Sequence, residues 1–277
     1  MNFKEVRKMD KNYSKRILDL IRTDLITMNG GKNNMRVIFV LMILFFGGLG
    51  FLFSPLMGVY VPFLTGAFFV PMMFQNEMKY HSEKMFALLP INRKDLVRSR
   101  FIMSFVLYVV SALLFYLLML LSLKLKPYYF LLGEDAENTD VIRLIAERTG
   151  SMTELGLFNL LYFGVFSVGL MTMSGSLRKY FRNKATFESM MSGGIRKATR
   201  KEKGYVLLAF AVILFLILNV TDILPVRTAL APAMQLLLQL AQAANGFLLG
   251  AVLVTVAVFS AIYKYICTVL EYDEKEL

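Results

Sequence analysis

Side chains that commonly carry catalysis or metal binding are scarce in this sequence. Its 277 residues include one histidine, His81, and one cysteine, Cys267. A disulfide framework is therefore excluded, and we expect no His/Cys metal site. The phosphate-binding pattern G-x-x-x-x-G-K-[S/T] is absent, and the long apolar stretches lack the charged groups of a membrane protease. The sequence therefore predicts that this chain is not an enzyme.

Apolar residues dominate the composition and are concentrated in long blocks. Hydrophobic residues make up 57% of the chain and charged residues 18%, whereas soluble domains are about 45–50% apolar and about 25% charged. Residues 37–76 and 228–263 contain no charge, and about 20 helical residues cross a bilayer. The blocks lack the alternation of barrel strands, so helices must satisfy their backbone groups. The sequence predicts an all-α integral membrane protein.

Prolines and glycines divide the apolar blocks into six predicted transmembrane helices. Ser54-Pro55, Pro232 and Asn245-Gly246 interrupt the two longest blocks, because proline ends or turns a helix. Pro62 and Pro71 should kink the second span. All 277 residues are assigned to one transmembrane domain. Its predicted spans are 37–53, 56–75, 101–123, 155–177, 205–221 and 246–263.

The basic residues lie between the predicted spans. The segments 1–36, 76–100 and 178–204 hold 24 of the 31 Lys and Arg residues, so the positive-inside rule assigns them to the cytoplasm. The segment 124–154 has four basic and six acidic residues and is predicted to be extracellular. This distribution accounts for the net charge of +11 without a nucleic-acid partner. Both termini are then cytoplasmic.

Two amphipathic helices are predicted outside the spans. The first lies within 1–36 and ends near Asn29-Gly30-Gly31. We expect it in the cytoplasmic interface. The alternative is an ordinary soluble helix packed on a partner. Its apolar face would consist of Ile17, Leu18, Ile21, Leu25 and Met28.

The second amphipathic helix, at 233–243, is predicted to dip into the membrane between spans five and six. It places Gln235, Gln239 and Gln242 on one face. In lipid, their amides would lose hydrogen bonds, so we expect them to face a water-filled vestibule or the external interface. The alternative is an interfacial helix that only anchors span six.

The polar segment 76–100 has an acidic residue, Glu77, directly after span two and a Leu-Pro-Ile-Asn-Arg-Lys run at 89–94 before span three. In these features it resembles the small six-span ABC-2 transporter permeases of Gram-positive bacteria. In that family an acidic residue after span two precedes a short helix. A Leu-Pro-hydrophobic-x-Arg-Lys run then leads into span three. The matching residues here are Glu77, Leu89, Pro90, Ile91, Arg93, Lys94 and Asp95. The predicted topology extends the resemblance over nearly the whole chain. Within the family the sequence resembles permeases that export phenol-soluble modulins, which are cytolytic amphipathic peptides.

The resemblance implies a multi-pass permease subunit in the bacterial plasma membrane that exports amphipathic or hydrophobic peptides, such as toxins or antimicrobial peptides. Two permease copies, expected as a homodimer, would dock two copies of a separate ABC ATPase. ATP and Mg would bind to that ATPase, and no cofactor is expected in this chain. A coupling helix at about 78–89 would contact the ATPase.

The resemblance assigns two groups of candidate site residues. The ATPase-coupling group is Glu77, Lys84, Leu88, Leu89, Pro90, Arg93, Lys94 and Asp95; the group at the outer gate or translocation path is Gln235, Gln239 and Gln242. Two alternatives stay open. The segment 76–100 can be a solvated connector, and the protein can be a stand-alone immunity protein that sequesters a peptide without pumping it. A neighbouring ATPase gene would favour transport.

Overall fold

The structure is a computed structural model that describes residues 15–23, 35–52, 55–79, 93–132, 153–182 and 246–273. Within these residues every regular element is helical, in agreement with the predicted all-α class. The predicted span at 205–221 and the predicted helix at 233–243 lie outside them.

Three of the helices are long and apolar enough to cross a membrane, and their apolar stretches are Lys94–Leu125, Glu154–Arg182 and Phe247–Tyr272. Shorter apolar helices lie at Val40–Leu52 and Val61–Phe74. In chain order the elements are α1 (15–23), α2 (Met35–Leu52), α3 (Pro55–Val59), α4 (Val61–Leu64), a π-helix (Thr65–Phe69), α5 (Val70–Lys79), α6 (Arg93–Leu125), α7 (Pro127–Leu132), α8 (Glu154–Arg182) and α9 (Phe247–Asp273).

Contacts between side chains show the direction in which each helix runs relative to α6. The Ser122 hydroxyl donates to the Phe51 carbonyl at 2.9 Å. One turn earlier on both helices, Gly47 faces Leu118. The helices α2 and α6 are therefore parallel. The segment α3 to α5 runs antiparallel to α6, because Gly58 approaches Met119 near one end and Phe74 approaches Arg100 near the other.

The helices α8 and α9 form a parallel pair. Gly246, just before α9, packs against Gly156 near the start of α8. Arg178 near the end of α8 forms an ion pair with Glu271 near the end of α9. This pair runs antiparallel to α6, since Tyr108 of α6 bonds to Phe166 whereas the later Tyr116 bonds to the earlier Asn159.

These directions give the bundle two different ends. One end contains the start of α6 and the ends of α5, α8 and α9, and we call it the basic end. Its described charged side chains are Lys94, Asp95, Arg98, Arg100, Arg178, Lys179, Arg182 and Glu271. The other end, which we call the opposite end, contains the end of α6 and the starts of α8 and α9. From the positive-inside rule we expect the basic end to face the cytoplasm.

A π-helix interrupts the second apolar segment between its two inner prolines. The Val70 amide donates to the Thr65 carbonyl, five residues earlier rather than four. In an α-helix the Pro71 ring would clash with the carbonyl four residues before it, at Ala67. The wider turn relieves this crowding just before the proline. The sequence predicted kinks at Pro62 and Pro71, and the structure places an expanded turn between them.

The π-helix brings the second segment into direct backbone contact with α8. A Cβ atom at Gly66 would meet the carbonyl group of Gly169. A Cβ at Gly169 would lie 2.9 Å from the Pro62 carbonyl oxygen and close to the Tyr108 hydroxyl. Small residues permit such close approach between membrane helices. Glycine at both positions is therefore required by the packing.

The helix α1 is amphipathic, but its buried face differs from the predicted one. Ile17 and Leu20 are buried, and Ile21 packs against the apolar core. Leu18, which the sequence assigned to the apolar face, is 63% exposed. Spacing alone cannot show which of two adjacent apolar residues faces the core. The predicted face also included Leu25 and Met28, which lie outside the described residues.

Three helices extend past the predicted spans at the basic end. The helix α6 begins at Arg93 rather than 101, α8 ends at Arg182 rather than 177, and α9 continues to Asp273 rather than 263. The predicted boundaries lie beside the first charged residues, Arg100, Arg178 and Lys264. Several of these charges have partners across the bundle, so charge does not end the helices.

Candidate functional site

The basic end is where the predicted coupling segment leaves and re-enters the described part of the bundle. The helix α5 ends there at Lys79, and α6 begins there at Arg93. Four of the predicted coupling residues lie between these points, outside the described residues: Lys84, Leu88, Leu89 and Pro90.

The other predicted coupling residues belong to the ends of α5 and α6. Glu77 lies in the last turn of α5, which also includes residues 78 and 79. The rest of the coupling helix predicted at about 78–89 lies outside the described residues. Arg93 is the first residue of α6, and Lys94 beside it is exposed. Asp95 is buried in the first turn, where a carboxylate interacts favourably with the helix dipole.

Arg100 lies inside the basic end, with 2% of its surface exposed. Its guanidinium carbon is 5.7 Å from the ring centre of Phe74, 5.3 Å from that of Tyr180 and 5.9 Å from that of Phe181. Its Nη1 donates a 2.7 Å hydrogen bond to the Tyr180 hydroxyl. Cation–π contacts and hydrogen bonding offset the cost of removing the charge from water. Arg100 thus connects α6 with α5 and α8.

The aromatic cluster around Arg100 continues to α9. The ring of Phe101 stacks on that of Phe181 at 6.4 Å and meets Tyr265 edge-on at 5.3 Å. Phe181 also contacts Tyr272, with ring centres 5.2 Å apart. Residues from four helices therefore share one packed aromatic cluster at this end.

Further polar contacts tie α9 to its neighbours at the basic end. Arg98 Nε donates a 2.9 Å hydrogen bond to the Tyr265 hydroxyl, which connects α6 with α9. Arg178 pairs with Glu271, and Arg182 Nε lies 3.9 Å from the same carboxylate. These contacts connect α8 with α9. We call the contacts Arg100–Tyr180 and Arg98–Tyr265 the two arginine links.

The opposite end contains a different ion pair. Lys126, which follows α6 in a left-handed conformation (φ 46°), lies 3.3 Å from Glu154 at the start of α8. The same ammonium is 5.6 Å from the ring centre of Tyr129 in α7. The pair therefore joins the two ends of the segment that was predicted to be extracellular.

The predicted outer-gate residues fall outside the described part of the chain: Gln235, Gln239 and Gln242. The described chain resumes at Gly246, which lies at the opposite end against Gly156. A positive φ of 74° at Gly246 lets the chain turn into α9 where a side chain would clash.

Two buried tyrosines, Tyr108 and Tyr162, and the half-buried Tyr116 lie in the α6–α8 interface between the two ends. Each places its hydroxyl on a partner across the interface: Tyr108 on the Phe166 carbonyl, Tyr116 on the Asn159 side chain and Tyr162 on the Ala112 carbonyl. Bonded in this way, hydroxyls are tolerated in an apolar interior. Among the residues that the structure describes, no group of three or more His, Cys, Asp or Glu side chains is placed to hold a metal ion.

Sequence reasoning missed the central residues of the basic end. Arg98 and Arg100 were counted as charges of a polar loop, and Tyr180 and Tyr265 were not singled out. One signal was present: no proline or glycine occurs between Arg93 and Leu125, so a single helix can include both arginines. That signal places the arginines on α6 but does not identify their partners.

Comparison with known proteins agrees with the resemblance at the level of family. A family model described as "ABC-2 family transporter protein" matches residues 19–136, a range that runs from α1 to beyond α7 and includes the segment 76–100. No curated protein and no solved structure matches the chain. The family match and the long apolar helices support an ABC-2 type permease, which is a membrane protein. Membership of this family implies an ABC ATPase subunit as partner.

Proposed function

We propose that the chain is the transmembrane permease subunit of an ABC exporter, which a separate ATPase subunit drives. The arrangement of helices at the basic end is the observation that supports this proposal. Both helices that flank residues 80–92 meet there, and Arg100 ties them to α8. The described helices on either side of this segment are thus joined to the bundle, which suits them to receive movement from a cytoplasmic ATPase. ATP and Mg²⁺ would bind to that ATPase, and the complex would contain two permease copies and two ATPase copies.

The helix directions support the topology of such a permease. Two parallel helices that cross one membrane need an odd number of crossings between them. The parallel arrangement of α8 and α9 agrees with this if the predicted span at 205–221 crosses once. With both termini at the basic end, the chain would have six spans and lie in the bacterial plasma membrane.

The proposed substrate class rests on the resemblance of segment 76–100. It consists of amphipathic or hydrophobic peptides, including toxins, antimicrobial peptides and peptides like the phenol-soluble modulins. The predicted helix at 233–243 would flank the outer gate, where such a peptide leaves.

The first test is purification of the full chain from native membranes in a gentle detergent. An ABC ATPase should co-purify, and the complex should hydrolyse ATP. Repeated recovery of the chain without an ATPase would contradict the proposal. Peptide binding by such a preparation would instead indicate a stand-alone immunity protein.

The second test concerns the coupling segment itself. Leu89→Asp should abolish transport, because a charge in an apolar cleft of the ATPase would have no partner. Glu77→Lys should have the same effect by reversing the charge beside that surface. Both proteins should still insert into the membrane, and Leu89→Met is the matched control. Unchanged peptide-stimulated ATPase activity in the two charge variants would remove this segment from the mechanism.

A further inference from the structure

Two arginines in the first turns of α6 connect it to both members of the parallel pair α8–α9. Arg100 donates to the Tyr180 hydroxyl at 2.7 Å, and Arg98 donates to the Tyr265 hydroxyl at 2.9 Å. Each link joins a side chain on α6 to a tyrosine near the end of a different helix. The pair α8–α9 is itself joined there by Arg178 and Glu271.

The position of the links on α6 relates them to the coupling segment. Residues 80–92 join α6 at Arg93. Arg98 and Arg100 follow Arg93 by five and seven residues. At 1.5 Å per residue this is about 10 Å along a continuous helix. Movement of the segment would therefore reach both arginines without passing through an intervening loop.

An arginine is a costly choice for the place that Arg100 occupies. Its side chain is 2% exposed, and burial of a guanidinium costs several kcal/mol before its contacts offset that cost. An apolar side chain of similar size would fill the same space among Phe74, Tyr180 and Phe181 without that cost. The arginine adds a directional hydrogen bond, which fixes the position of α6 relative to Tyr180. Apolar contacts are not directional and would allow the two helices to shift past each other.

We propose that Arg98 and Arg100 are positioning residues that transmit movement of segment 80–92 to α8 and α9. The inference rests on the proposed permease function and names the residues through which the basic end acts. The two links hold the pair α8–α9 to α6 at the basic end, so that displacement of α6 tilts the pair. The separation between α6 and α9 at the opposite end then changes during the ATPase cycle.

The experiment measures this separation in the full chain with its co-purifying ATPase, reconstituted in lipid nanodiscs. Spin labels replace Leu125 at the end of α6 and Phe247 at the start of α9, which are 55% and 53% exposed. Cys267, the one cysteine, is changed to serine. An excess of unlabelled chain suppresses distances between copies. Pulsed electron paramagnetic resonance then compares the nucleotide-free complex with the complex trapped by ATP and vanadate.

In the otherwise unsubstituted chain, trapping should shift the distance distribution. In Tyr180→Phe and Tyr265→Phe the ATPase should still turn over, but the shifted population should fall by about tenfold relative to the unshifted one. This is the effect expected from one lost hydrogen bond to a charged group. Arg100→Met should lose the shift. Arg100→Lys keeps a hydrogen-bond donor and the charge, so its shift should be larger than that of Arg100→Met and smaller than that of the unsubstituted chain.

Tyr162→Phe is the matched control, because it removes another buried tyrosine hydrogen bond between α6 and α8, away from the basic end. It should keep the full shift. A normal shift in Tyr180→Phe and Tyr265→Phe would overturn the inference, as would an equal loss in Tyr162→Phe, which would indicate general loosening. An active ATPase complex with no shift in the unsubstituted chain would also overturn it. Failure to recover any ATPase would instead contradict the permease function itself.

Discussion

The contact between the π-helix and α8 makes a quantitative prediction for Gly169→Ala. The new Cβ would lie 2.9 Å from the Pro62 carbonyl oxygen and 3.1 Å from the Cα atom of Phe63. Ordinary contact for such atoms begins near 3.4 Å, so the two backbones must separate by about 0.5 Å. The Tyr108 hydroxyl lies closer still and must also move away from its bond with the Phe166 carbonyl.

These two effects set the size of the expected loss. Overpacking of a close contact costs about 1–3 kcal/mol, and one weakened hydrogen bond adds about 1 kcal/mol. The free energy of unfolding should therefore fall by about 2–4 kcal/mol. At about 2–4 °C per kcal/mol for chains of 150–250 residues, the midpoint of thermal unfolding should fall on the order of 10 °C.

Gly164→Ala is the control, because it makes the same change on the same helix where nothing lies within 4 Å of the added Cβ. Its effect should stay within about 0.5 kcal/mol. The assay heats both variants in detergent and measures the folded fraction by size-exclusion chromatography. Equal midpoints for the two variants would show that α8 and the π-helix are not in backbone contact.

Three further predictions concern the ends of the bundle. With Cys267 replaced by serine, a cysteine at Thr153 should react with an impermeant thiol reagent added outside intact cells, and a cysteine at Glu271 should react only after the membrane is opened. Arg178→Glu should destabilise the chain by about 1 kcal/mol or more, because it places two acids together; the exchange Arg178→Glu with Glu271→Arg should restore most of the loss in thermal unfolding. A cysteine scan of 233–243 should show external labelling that peaks at the three glutamine positions, and uniform protection would mean that this helix was wrongly placed.

Much of the helical architecture follows from composition, because a chain in lipid must bond its own backbone groups. The apolar run in α6 contains no proline or glycine, and it forms one helix. Pro62 and Pro71 marked a distortion in the second segment. The positions of the prolines mark where the regular α-helix is disturbed, but they do not show whether the chain responds with a kink or with the wider turn of a π-helix.

The basic end was harder to predict because its partners are far apart in the chain. Arg100 and Tyr180 are separated by 80 residues, and Arg98 and Tyr265 by 167. Spacing rules relate residues a few positions apart, so such pairs leave no periodic signal. Charge counting was misleading here for a physical reason: a guanidinium with a hydroxyl and aromatic partners can be buried inside a bundle.

The parallel arrangement of α8 and α9 also bears on the order in which the protein assembles during synthesis. Neighbouring helices of a hairpin can pair as soon as the second one leaves the ribosome. The helix α8 cannot pair with α9 in this way, because residues 183–245 are synthesised between them. Until α9 is inserted, the Met171 carbonyl lacks its 2.7 Å contact with the Lys264 ammonium, and Arg178 lacks the Glu271 carboxylate. The polar contacts between α8 and α9 therefore form late in synthesis, after the residues between the two helices have been made.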